Sequence, residues 1–100
     1  MSTATNHDVE LRPIGEIRWR QTVRVRGHVR DLRVRPQGVA GSSLECALVD
    51  DTGGITLVFL WRTRIAGLEL GRELEATGMV SEDRQRLVLL NPLYTLIHRA

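Results

Sequence analysis

The sequence predicts an all-β domain, built as a small five-stranded barrel. Three observations carry this. Apolar and polar residues alternate over short runs, the period of a strand with one buried face. Clusters of Gly, Pro, Asp and Ser punctuate those runs as turns. Five such runs crowd into about 75 residues, and closing the sheet on itself is the economical way for so small a domain to hide its strand edges.

Residues 1–12 are rich in Ser, Thr and Asn and read as a flexible tail, leaving 13–100 as a single domain. Ile14, Ile17 and Trp19 have a spacing that fits either a short helical turn or an irregular lead-in. Val23, Val25 and Val29 then alternate with Arg24, Arg26, His28 and Arg30, and after Asp31 the apolar parity moves to Leu32 and Val34. A shift of one residue is what a β-bulge produces, and Gly27 offers a second place to bend, so 22–35 reads as one long, sharply bent strand. A Pro-, Gly- and Ser-containing loop, 36–43, leads to the second strand, 44–49, with Leu44, Cys46 and Leu48 on one face and Ala47 and Val49 on the other. Asp50 to Gly54 make a hairpin turn from residues that tolerate positive φ. The third strand is 55–61, with Ile55, Leu57, Phe59 and Trp61 on one parity. Residues 62–70 break the alternation and read as a short helical or irregular connector ending at Gly71. A fourth strand, 72–81, follows, then a polar turn at 82–85 and a fifth strand, 86–90, which Asn91-Pro92 interrupts before 93–97 resumes.

Composition sets aside several classes. The hydrophobic share of 42% and charged share of 26% are those of a globular chain, not a disordered one. The longest apolar run, 57–61, is far too short to span a bilayer, and residues 1–10 lack the basic and apolar regions of a signal peptide, so the expected location is the cytoplasm. Cys46 has no partner for a disulfide and reads as an inert core residue; no Cys/His spacing suits zinc. His7, His28 and His98 form no constellation with a nucleophile, and the adjacent Asp50 and Asp51 suit a turn better than a metal. No cofactor, metal or catalysis is expected.

Charge is unevenly placed. All 14 basic residues are arginine, and residues 12–35 hold eight of them against Glu16 and Asp31, a local balance of +6 in a chain of net charge +2. Such polarity favours polyanions.

The order β-β-β-α-β-β, with the helical connector between strands three and four, is that of the OB-fold. The sequence also resembles the OB "wedge" domain of the DNA helicase RecG, among the anticodon-binding-like OB domains. Val25-Arg-Gly-His-Val29 leading to Arg33-Val-Arg-Pro36, the run from Val49-Asp-Asp-Thr-Gly-Gly to Phe59, and Gly78-Met-Val-Ser with Leu87 to Tyr94 carry the resemblance. It covers about three quarters of the chain and implies nucleic-acid contact. The chain contains no motor, since a phosphate-binding G-x-x-x-x-G-K-[ST] loop needs a lysine.

An OB groove crosses strands two and three between the loops after strands one and four. Arg33 and Arg35 border the first loop, Arg84 and Arg86 the second, and Arg62 and Arg64 follow strand three; all six are candidates to hold phosphates. Trp61 is the candidate stacking residue, with Phe59 and Tyr94 assigned to the core and Trp19 to a plug at one barrel end. Arg24, Arg26 and Arg30 form a secondary basic face. The expected ligand is single-stranded or branched DNA, with DNA favoured over RNA. Val58 and Leu60 on the outward parity of strand three support an alternative, an adaptor that docks on a protein partner or a second copy.

Overall fold

A parity shift near Asp31 governs the architecture. In the computed structural model, which describes residues 9–36, 38 and 41–98, strand β1 (Thr22–Pro36) serves two partners. Its first half pairs antiparallel with β4 (Glu73–Asp83), from Thr22 opposite Met79 to His28 opposite Glu73. Its second half pairs with β2 (Ser42–Val49), from His28 opposite Val49 to Pro36 opposite Ser42. Val29 faces Leu48 while Asp31 faces Ala47, so Arg30 is the extra residue of a bulge. Gly27 lies just before the handover, where an added Cβ would fall 2.4 Å from the Val49 carbonyl oxygen. Only glycine permits that approach.

Strand β3 (Gly54–Leu60) pairs antiparallel with β2, and β5 (Arg86–Leu90) runs parallel to β3 and antiparallel to β4. The order β1-β2-β3-β5-β4 returns to β1 and closes a ring of five strands. A sixth strand, β6 (Leu93–Leu96), continues β5 along β4, which pairs through 80–83 with β5 and through 74–77 with β6. Its cause is Asn91-Pro92. Asn91 adopts φ 45°, donates its N–H to the Val58 carbonyl at 2.7 Å and accepts from the Leu60 N–H at 2.8 Å through Oδ1. The β3 ladder is thereby finished by a side chain, and the chain leaves β3 while continuing along β4.

The helix expected over 62–70 does not form. Two reverse turns take its place, closed by Leu68 N–H to the Ile65 carbonyl and Arg72 N–H to the Glu69 carbonyl. Gly67 and Gly71 are left-handed, at φ 81° and 83°, which ends any helical run. Ile65 and Leu68, three residues apart as on a helix face, both reach the core from the first of these turns.

The core draws Val23, Val25 and Val29 from β1, Leu44, Cys46 and Leu48 from β2, and Ile55, Leu57 and Phe59 from β3, with Leu74, Ala76, Val80 and Leu89 closing it. Leu48 and Leu57 have no exposed surface, so cutting either to alanine costs about 2–5 kcal/mol. Phe59 meets Tyr94 edge to face, with centroids 5.6 Å apart. Burial, helped by the nearby charge of Asp31, pushes the Cys46 thiol up to about 12 and leaves it inert.

At one end of the ring a 3-10 turn (Ile14–Glu16) sits on the β2–β3 turn. Asp50 organises both: its carboxylate accepts from the backbone N–H groups of Ile14, Thr52 and Gly53 at 2.7–3.0 Å and from the Thr52 hydroxyl. Burial alone would raise the Asp50 carboxyl, but these bonds outweigh it and hold the group below its ordinary value. Among the residues assigned to the tail, Leu11 bridges to Arg24 and the Arg12 N–H donates to the Arg24 carbonyl; residues 1–8 lie outside the described residues. No helix among the described residues is long and apolar enough to cross a membrane.

Candidate functional site

The bulge decides which side chains reach the outer surface. Past Arg30, β1 turns Asp31, Arg33 and Arg35 outward, beside Glu45 and Ala47 of β2, Thr56 of β3 and Arg86 of β5. Together they line a cleft of about 130 Å³. Three of the expected phosphate-holding arginines, Arg33, Arg35 and Arg86, do converge there, and a carboxylate lies among them. Glu45, with 7% of its side chain exposed, sits 3.0 Å from Arg35 Nε and 2.9 Å from Arg86 Nη2. Arg86 also reaches Asp83 at 3.3 Å, and Arg33 holds Asp31 at 2.9 Å. The Arg35 contact is an ion pair without hydrogen-bond alignment; Arg86 makes a true bond to Glu45. Three arginines therefore meet three acids, and this stretch of the groove is close to neutral.

Burial alone would raise the Glu45 carboxyl. The contacts from Arg86 and then Arg35 outweigh that and hold it below its ordinary value. Conversely, the bond to Glu45 raises Arg86 against its own desolvation. Glu45 is the residue the sequence reading missed. Its outward parity, shared with Ala47 and Val49, was the available signal.

The outer side of β3 is closed as well. Val58 faces Glu45 across the β2–β3 ladder, stands outside the core cluster and is only 6% exposed; Thr56 and Leu60 are half-buried. The apolar outward face expected at Val58 and Leu60 is not an open surface, because neighbouring outer side chains of a twisted, closed sheet cover its centre.

Beyond β3 the character changes. Trp61 follows the last β3 residue in the left-handed region, φ 60°, with 72% of its surface exposed. A bulky side chain there carries a conformational cost of order 1–3 kcal/mol and exposes a large apolar face, two features that a purely structural position avoids. Arg62 and Arg64 are exposed, and neither has an ion pair among the described residues. A second cleft, about 180 Å³, opens beside them, with Leu32, Val34, Leu44, Ile65 and Leu68 as its apolar lining and Arg33 and Arg64 at its margin. Arg33 borders both clefts and joins them. Gly41, at the end of the loop after β1, lies close to the indole: an added Cβ would be 3.7 Å from Trp61 Cδ1. The loop residues 37, 39 and 40 fall outside the described residues.

Arg84 takes the tip of the β4–β5 hairpin. It and Gln85 are both left-handed, φ 53° and 68°, the signature of a two-residue turn whose twist matches the strands. Arg84 is exposed and has no ion pair among the described residues.

The secondary basic face is divided in the same way. Arg24 and Arg26 lie 3.7 and 3.5 Å from Glu75 of β4, whereas Arg30, on the bulge, is exposed and has no ion pair among the described residues. Trp19 is not a plug: it is 56% exposed, and the Arg20 guanidinium lies over its ring at 4.5 Å. Ile14 fills the barrel end instead. No group of three or more His, Cys, Asp or Glu among the described residues could hold a metal ion.

Solved structures share this architecture. The chain is similar to the second OB-fold domain of replication protein A from Methanococcus maripaludis, with a TM-score of 0.68 and 17% identity, covering 91% of this chain and 98% of that one. It is equally similar to the OB domain of MM0293 from Methanosarcina mazei, at 0.68 and 18% identity, covering 91% of this chain and 86% of the other. These likenesses establish the OB-fold. No family model matches the chain, and no curated protein matches it.

Proposed function

We propose that this chain is a non-catalytic OB-fold module that binds single-stranded nucleic acid, DNA in the first instance, at the end of its groove beyond β3. Trp61 carries the reading: a strongly exposed indole, held in a costly backbone conformation and followed by two arginines without acidic partners among the described residues. OB-folds bind single strands by combining a basic groove with aromatic faces for the bases. Arg62, Arg64 and Arg84 take phosphates, and Arg33 joins the two clefts. Arg35 and Arg86 clasp Glu45 and shape the groove floor. Three phosphate contacts on a single strand give a salt slope of about −2 in log affinity against log salt. The likeness to an OB-fold domain of replication protein A supports a nucleic-acid ligand, and the resemblance to the RecG wedge domain makes forked DNA the second substrate to compare. The burial of Val58 leaves less apolar surface for the alternative, an adaptor that docks on a protein partner or a second copy through strand three.

Fluorescence anisotropy tests this with labelled single-stranded, duplex and forked DNA and single-stranded RNA, at about 50 and 200 mM salt. Single-stranded DNA is expected to bind ahead of duplex and to weaken with salt. An absence of binding to all four at the lower salt rejects the proposal.

A further inference from the structure

Trp19 lies outside the groove, yet its surroundings repeat those of Trp61. Arg18 to Gln21 form a reverse turn, closed by the Gln21 N–H on the Arg18 carbonyl at 3.1 Å and braced by the Arg18 N–H on the Gln21 side-chain oxygen at 3.1 Å. Trp19 and Arg20 are its central residues. Arg20 has φ 70° at the third turn position, where glycine is favoured. The turn is pinned to β4: Arg20 N–H donates to the Val80 carbonyl and Val80 N–H to the Gln21 carbonyl, both at 2.8 Å. Strain and pinning serve to present two exposed side chains, a guanidinium already over an indole. Arg18 is exposed and has no ion pair among the described residues. Beside the turn opens a cleft of about 520 Å³ lined by Arg12, Gly15, Glu16, Ile17, Arg18 and Gln21. In the ring order the seam between β4 and β1, where this turn docks, lies across the barrel from β3.

We infer that the Arg18–Gln21 turn is a second contact for single-stranded nucleic acid, separate from the groove: a base stacks on Trp19, and Arg18 and Arg20 hold the flanking phosphates. The inference rests on the reading of the ligand as a single strand and adds a site to it. A strand gripped at both places wraps the barrel; two short strands occupy them independently.

The chain has two tryptophans, so Trp61→Phe leaves Trp19 as the sole indole and Trp19→Phe leaves Trp61. Both positions are exposed, and both variants keep an aromatic ring. Each is titrated with oligo(dT) of about 10 nucleotides, inside the range of OB-fold site sizes, while indole emission is followed. Saturable quenching is expected in both. Adding Arg18→Ala and Arg20→Ala to the Trp61→Phe chain is expected to reduce the salt slope by about 1.4, two contacts at about 0.7 each. Quenching of Trp61 with Trp19 emission flat overturns the second contact and leaves the groove intact. Quenching of Trp19 alone keeps the second contact and removes the groove assignment. Flat emission in both variants overturns both readings, and an unchanged slope overturns the phosphate contacts at this turn.

Discussion

The two clefts that share Arg33 contain arginines in opposite electrical situations. Around Glu45, the guanidiniums of Arg35 and Arg86 are already engaged by a nearly buried carboxylate, and Arg33 by Asp31. Beyond β3, Arg62 and Arg64 face solvent with no acidic partner among the described residues. Both sets look alike in a charge count. The difference shows that a basic patch is defined by what remains after the fold has paired its own charges. A clasped arginine shapes and stiffens a surface, because taking it for a ligand first means separating it from a buried partner. An unclasped one is available at the cost of its side-chain freedom alone.

The comparison can be broken most forcefully at Glu45. Glu45→Gln keeps the shape and removes the charge, leaving two guanidiniums without their anion. A stability loss of about 2–3 kcal/mol is expected in urea unfolding at neutral pH, below the figure for fully buried pairs because both arginines are about a third exposed. The same variant should bind single-stranded DNA with a steeper salt slope, since the freed arginines can take phosphates. Because the folded Glu45 carboxyl is held below its ordinary value, its contribution is complete above that value and is lost as pH falls through the folded one. The stability gap between wild type and Glu45→Gln should therefore start to narrow as pH falls below the ordinary carboxylate range and close as it passes through the lower folded value. A gap that persists there would mean that packing, not charge, holds the clasp.

At the other cleft, Trp61→Ala is expected to weaken binding by about 1–3 kcal/mol, the worth of one stacked base, with the melting temperature unchanged, since alanine keeps the Cβ that makes the left-handed region costly. Smaller still, Arg62→Ala with Arg64→Ala should lower the salt slope by about 1.4 without altering stability, whereas Arg35→Ala should alter stability and leave the slope alone. If the two swapped behaviour, the contrast between clasped and free arginines would fail. The smallest effect belongs to Arg30→Ala: an exposed bulge residue away from both clefts, with no ion pair among the described residues, should move stability by no more than about 0.5 kcal/mol in a thermal melt.

Much of this was legible in the chain. The move of apolar parity from Val29 to Leu32 announced the bulge, and Asp50 with Thr52 and Gly53 announced a side-chain-bonded turn, because both are local patterns that the backbone must obey. The connector was misread for an equally local reason. Ile65 and Leu68 keep helical spacing, but the left-handed glycines at 67 and 71 belong to turns, and spacing alone does not distinguish the two. Glu45 was illegible in another way: its partners are 10 and 41 positions distant in sequence, and only the register of three strands brings them together. Trp19 illustrates the remaining limit. Size and apolarity pointed inward, while the turn that holds it outward depends on hydrogen bonds to β4.

The extra residue at position 30 also sets where the first strand can change length. In a regular ladder, one residue inserted or removed exchanges the sets that follow between the two faces. Arg30 is the exception: without it Val29 would still stand opposite Leu48 and Asp31 opposite Ala47, and Asp31, Arg33 and Arg35 would keep their outward face. A lineage carrying this barrel can lose that codon and straighten the strand, whereas a length change among the residues that follow turns arginines toward the interior and costs it the groove.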